Sequence, residues 1–120
     1  MGTQGRFKKT QALVIPNGAD VSNALPSACI EDLTAALLYG PASTEGGKTF
    51  ALQCNPNPEA TNSTTGWVAL CDGTGAGLTP PAALKAQLYS EIPHCGALRI
   101  KASGNLGSDH TWQLTGIETV

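Results

Sequence analysis

The chain is short of the side chains that build large hydrophobic cores. Its 120 residues include two Trp, two Tyr and two Phe, and Leu, Ile, Val and Phe together number 24. Sixteen residues are alanine, which contributes little burial energy. Charge is also scarce: Asp, Glu, Lys and Arg make up 13% of the chain, and the net charge is −2. No run approaches the roughly 18 consecutive apolar residues of a membrane-spanning helix. These shortages exclude a coiled coil, a long helical bundle and a helical membrane protein. Low net charge with 41% hydrophobic content argues against disorder. A chain of this length makes one domain, here with a thin core, and such a monomer can draw part of its stability from partners.

Turn formers are plentiful, with 14 Gly and 8 Pro. Residues 11–15 read as a strand stopped by Pro16-Asn17-Gly18, and 20–25 as a further extended piece before Pro26. Residues 29–39 fit two states. Ile30, Leu33, Leu37 and Leu38 have helical spacing ended by Gly40 and Pro41, while 35–39 fit a strand nearly as well. Residues 49–54 alternate, with Phe50, Leu52 and Cys54 on one face, and 66–71 supply a hairpin partner across the loop 59–65. Thr79 as N-cap, with Pro80 and Pro81 in the first turn, predicts a helix over 79–89. Leu98, Ile100 and Ala102 point inward on 97–102, and Trp112 and Leu114 on 110–115, so these two segments predict a closing hairpin. The expected fold is mainly β: an antiparallel β-sandwich or jelly roll with at most one or two short helices.

Signals for chemistry are weak. Cys29, Cys54, Cys71 and Cys95 contain no C-x-x-C pair and have no His at close ligand spacing. They read as buried, unpaired thiols packed like small apolar side chains, with a Cys54 to Cys71 bridge as the likeliest exception and no metal or cofactor expected. No secretory signal is visible, which points to folding in a reducing cytosol. Residues 72–77 carry a glycine at every second position but lack the spacing of a dinucleotide fingerprint and the lysine of a phosphate loop, so a mobile tip is the better reading. Asp109 and His110, with Ser103 or Ser108, are the residue types of a hydrolytic triad, yet neighbours on a strand diverge and no nucleophile elbow accompanies them. No catalytic residue is assigned, and no enzyme is expected. Trp67 and Trp112 read as core rather than as a sugar platform.

Arg6, Lys8 and Lys9 place three of the seven basic residues within the first ten positions, ahead of any acidic one. The expected organisation is an extended basic N-terminal arm over 1–10 and a single β-sandwich domain over 11–120. Three charges would neutralise few phosphates, and the rest of the chain is net acidic, so no direct nucleic-acid contact and no membrane contact are expected. A solvated terminus, or an arm docked on an acidic neighbouring subunit, accounts for the charges.

Three segments carry a family resemblance. Gly-Trp-Val-Ala-Leu-Cys-Asp-Gly at 66–73 comes first. Ile92-Pro93 then leads into Ala-Leu-Arg-Ile-Lys-Ala-Ser-Gly at 97–104, followed by Thr-Trp-Gln-Leu-Thr at 111–115. In that order they resemble the small β-sandwich virion proteins of tailed bacteriophages, most of all capsid decoration (cement) proteins. The cysteines are not part of that pattern, and the N-terminal half shows no match to it. The resemblance implies a virion structural protein, made in the host cytoplasm, that sits on the capsid surface between capsomers and strengthens the shell. Its implied partners are the major capsid protein and further copies of itself, as a homodimer or homotrimer. Because such proteins clasp the shell with extended termini, the resemblance makes Arg6, Phe7, Lys8 and Lys9 the expected partner-binding residues, with Phe7 as the apolar anchor. Two alternatives stand beside it. A carbohydrate-binding module of a phage fibre would need Trp67, Trp112 or Tyr89 exposed, and a tail or head-to-tail connector subunit would share the fold but not the location.

Overall fold

The computed structural model describes residues 6–119, with side chains from Thr10 to Ile117. Seven strands run in the order β1 (Arg6–Ile15), β2 (Leu33–Tyr39), β3 (Phe50–Asn55), β4 (Val68–Ala69), β5 (Ala86–Tyr89), β6 (Ala97–Ala102) and β7 (His110–Thr119). They make a four-stranded sheet, β1-β7-β2-β5, and a three-stranded sheet, β4-β3-β6, with every pairing antiparallel. The expected sandwich is the observed one. Its helical pieces among the described residues are single 3-10 turns at Ser27–Cys29 and Ile92–His94.

One apolar cluster fills the space between the sheets. Leu13 and Ile15 enter it from β1, Ala36 and Leu38 from β2, Trp112 and Leu114 from β7, and Leu52, Leu98 and Ile100 from the facing sheet. The alternation read from the sequence on β6 is borne out: Leu98, Ile100 and Ala102 are buried and Arg99 and Lys101 half-buried. Trp112 packs edge-on against Phe50 at 5.2 Å between ring centroids and donates its indole N–H to the Pro81 carbonyl at 3.1 Å, as a buried Trp requires. The extended piece expected over 20–25 lies along β6. Ser22 N donates to Ile100 O at 2.9 Å, Leu25 and Leu98 exchange both backbone hydrogen bonds, and Ala102 N donates to Asp20 O at 2.7 Å.

Several expectations give way to tertiary context. β1 begins at Arg6 rather than at residue 11, and its backbone pairs with β7 along its whole length, from Arg6 opposite Thr119 to Ile15 opposite His110. The ambiguous segment resolves as strand β2, because it lies between β7 and β5 in the middle of the larger sheet. The hairpin of β3 and β4 forms but is short, two residue pairs long.

The helix predicted over 79–89 is absent; the chain there is extended, turns at 83–84 and becomes β5. Thr79 and Pro80 each precede a proline, which biases both away from helical dihedrals. Their neighbourhood then uses the carbonyls a first helical turn would need: Thr79 O accepts from the Tyr89 hydroxyl and Pro81 O from Trp112. The predicted closing hairpin also fails, since β6 belongs to the three-stranded sheet and β7 to the four-stranded one. The connection between them crosses the open end of the sandwich, where Leu106 is buried and its backbone exchanges bonds with Gly18 and Ala19.

Candidate functional site

The residues that looked like chemistry in the sequence are occupied structurally. His110 is buried in the Phe50 and Trp112 cluster. Its Nε2 accepts from Glu45 N at 2.9 Å and its Nδ1 faces Ser108 O at 3.1 Å, so both ring nitrogens are used by backbone. Asp109 turns to the surface and accepts from Asn17 N at 2.7 Å. The would-be triad is therefore not assembled. In the glycine-rich hairpin, Asp72 Oδ1 accepts from Thr74 N, Thr74 Oγ1 and Ala76 N at 2.7–3.1 Å. Hydrogen bonds from Thr74 hold the Asp72 carboxyl below the usual carboxylate range. The N–H groups that would cradle a phosphate are thus spent on the protein's own carboxylate.

Trp67, Trp112 and Tyr89, the residues a sugar platform would need exposed, do not form one. Trp112 and Tyr89 are buried, and burial pushes the Tyr89 hydroxyl up to about 12. Trp67 is half-buried, donates to Ser63 O at 2.9 Å and lies under the Arg99 guanidinium, 4.4 Å above the ring. All four cysteines are free thiols, but of the four expected to be buried Cys95 is, while Cys29, Cys54 and Cys71 are half-buried; among the described residues no group of three or more His, Cys, Asp or Glu is arranged to hold a metal ion. No helix among the described residues is long and apolar enough to cross a membrane.

What the fold leaves unsatisfied is an apolar face. On the outer side of the four-stranded sheet, Tyr39 from β2 is 41% exposed, Leu88 from β5 64% and Ile117 from β7 45%. Leu37, directly opposite Leu88, joins them in walling a groove of about 390 Å³ floored by Thr115 and Gly116. Strand alternation explains the placement: Leu38, Tyr89 and Leu114 face the core, so their neighbours must face out.

Leu84, 84% exposed, lies in the turn just before β5. It carries the one positive φ among the described non-glycine residues, +62°, a conformation unfavourable for a side chain that crowds its own carbonyl. The loop is locked there by close packing. Gly40 approaches so tightly that a Cβ would lie 2.0 Å from Ala82 O, Gly40 N donates to Lys85 O at 2.7 Å, and Leu84 N donates to Pro41 O at 3.0 Å.

Of the expected partner-binding residues Arg6, Phe7, Lys8 and Lys9, the structure describes the backbone as the first four positions of β1; their side chains, and residues 1–5, lie outside what is described. By register Lys8 pairs with Ile117 and Lys9 with Gly116, at the end of the apolar groove. Leu88 is not legible in the sequence because it falls within the helix expected over 79–89, and Ile117 because the strand expected over 110–115 stops four residues short of the end of β7. The signal available for Ile117 was parity: with Trp112 and Leu114 inward, 113, 115 and 117 share the solvent face.

No family model matches the chain, and no curated protein matches it. Among solved structures, the cyanophage Pam1 capsid asymmetric unit is similar at 15% identity, over 97% of this chain and 85% of that one, with a TM-score of 0.39. A score at that level is no evidence of a shared fold.

Proposed function

We propose that this chain is a non-enzymatic structural subunit of a phage virion, which attaches to the capsid surface by laying the outer face of its four-stranded sheet on the major capsid protein. The observation that carries the assembly role is the groove walled by Leu37, Tyr39, Leu88 and Ile117. Contiguous apolar surface of this kind on a small domain marks an interaction site. The virion assignment rests on the resemblance of 66–73, 92–104 and 111–115 to decoration proteins. Arg6, Phe7, Lys8 and Lys9 belong to the same contact in this reading, because Lys8 and Lys9 pair with Ile117 and Gly116 at the groove's end.

Leu88→Lys and Ile117→Lys put a charge into the contact without touching the core. Each is expected to keep the melting temperature of the free chain within a degree or two and to abolish co-sedimentation with shells assembled from the phage's coat protein. Replacing Arg6, Phe7, Lys8 and Lys9 together by Ala retains the backbone pairing of β1 with β7, which deletion of 1–10 would destroy, and is expected to weaken the same attachment. Full attachment by both lysine variants would overturn the assignment of the face.

A further inference from the structure

The hairpin of β3 and β4 and the turn before β6 bring two thiols together that are 41 residues apart in sequence. Cys54 is the penultimate residue of β3, and Cys95 ends the 3-10 turn that leads into β6. Antiparallel register puts Cys54 opposite Leu98 and Asn55 opposite Ala97. Beyond that pair the chain bends: at Gly96 a Cβ would stand 2.1 Å from Asn55 O, so the backbone lies directly on residues 55–56. Cys95 is thereby returned toward Cys54. Both line one cavity of about 500 Å³, with Pro56, Val68 and Leu70 among its apolar walls; the Cys95 thiol donates to Glu91 O at 3.8 Å, and the two cysteines perturb each other's ionisation.

We propose that Cys54 and Cys95 form a modification site, a vicinal dithiol that a low-molecular-weight disulfide such as oxidised glutathione converts to an intramolecular Cys54–Cys95 disulfide. The pairing differs from the Cys54 to Cys71 bridge that sequence spacing suggested. Cys54 is the partly exposed member and Cys95 the buried one, so Cys54 meets the reagent first. Its thiolate attacks one sulfur of the reagent, forming a mixed disulfide and releasing one small thiol. The Cys95 sulfur then attacks the Cys54 sulfur of the mixed disulfide, releasing the second small thiol. Two protein protons leave on the two released thiols, the protein loses two electrons, and the reagent gains them. Burial pushes the Cys95 thiol up to about 12 and raises Cys54 as well, while the neighbouring Cys95 partly offsets the rise at Cys54. Exchange is accordingly slow at neutral pH and accelerates in alkali. The product ties β3 to the entry of β6, and nothing in it depends on the assembly role.

The test uses the purified full chain, folded, with excess oxidised glutathione at pH 8, followed by alkylation of remaining thiols, intact mass and proteolytic mapping. The expected product has lost two hydrogens, retains Cys29 and Cys71 as alkylated thiols, carries a Cys54–Cys95 cross-linked peptide and melts at a higher temperature than the reduced chain. Cys95→Ser is expected to accumulate a glutathione adduct on Cys54, and Cys71→Ser to form the disulfide as the unaltered chain does. A Cys54–Cys71 peptide, a lasting glutathione adduct on the unaltered chain, or four unreacted thiols would each overturn the proposal. The mapping of the unaltered chain decides it even where a serine variant does not fold.

Discussion

Leu84 is the residue at which local preference and the fold disagree most openly. A left-handed backbone suits glycine or asparagine, and a side chain in that conformation costs about 1 kcal/mol. Here the position holds a leucine turned into solvent. Leu84→Gly is therefore expected to stabilise the isolated chain by about 0.5 kcal/mol, once the larger freedom of glycine in the unfolded state is set against the relieved strain. Urea unfolding would show the gain, and a loss would point to a packing role for the leucine instead. At this scale the sequence was informative wherever neighbours alternate. The inward set Leu98, Ile100, Trp112 and Leu114 was legible because strand parity needs no knowledge of the rest of the chain. The conformation of Leu84 was not, since it follows from Gly40 lying against Ala82, a contact across more than forty residues.

Elements were legible in proportion to how local their causes are. The turn at 16–18 and the strands β3 and β6 follow from short patterns of proline, glycine and alternation. The helix expected at 79–89 failed because two successive pre-proline residues and two buried donors, the Tyr89 hydroxyl and the Trp112 indole, outweigh a good N-cap. The partners of β6 and β7 were not legible either, because a glycine-rich return is compatible with a hairpin and with a crossing to the other sheet. That crossing was decided by Leu106, which is buried between the sheets. The segment 20–25 shows an element held partly by charge: Lys101 Nζ lies 2.7 Å from Asp20 Oδ2, both side chains being about 40% exposed. The hydrogen bond from Lys101 holds the Asp20 carboxyl below its ordinary value of 3.8. A carboxyl depressed on folding contributes stability that is present above the unfolded value and lost as pH falls through the folded one. For so exposed a pair the contribution is below about 1 kcal/mol. Asp20→Asn is expected to leave a shallower fall in urea midpoint between pH 5 and pH 2, about a pH range set by carboxylate titration, and an unchanged slope would show that the pair contributes nothing.

Across the whole molecule, the shortage of bulky apolar side chains has a visible consequence in how the available ones are divided. The interior takes Trp112, Tyr89 and a set of leucines and isoleucines, yet Tyr39, Leu88 and Ile117 stay outside on the four-stranded sheet, with Leu84 exposed in the turn before β5 and Val68 exposed on β4. The thin core was foreseeable from composition; which face would carry the surplus was not, because β5 was hidden within a predicted helix. If that face is covered in the assembled particle, binding to the folded state alone must raise apparent stability. Calorimetry of chain bound to shells is expected to show it melting above the free chain, with Leu88→Lys melting alike in the presence and absence of shells.

The pairing of Arg6 with Thr119 sets how this domain meets mechanical load. Because β1 and β7 are antiparallel neighbours, tension applied between these two positions would open their ladder one hydrogen bond at a time, as a zipper, rather than shear all of it at once. A subunit hung by residues 6 and 119 would peel under modest force. Held through the broad face of the sheet, it would transmit the same tension across many strands together.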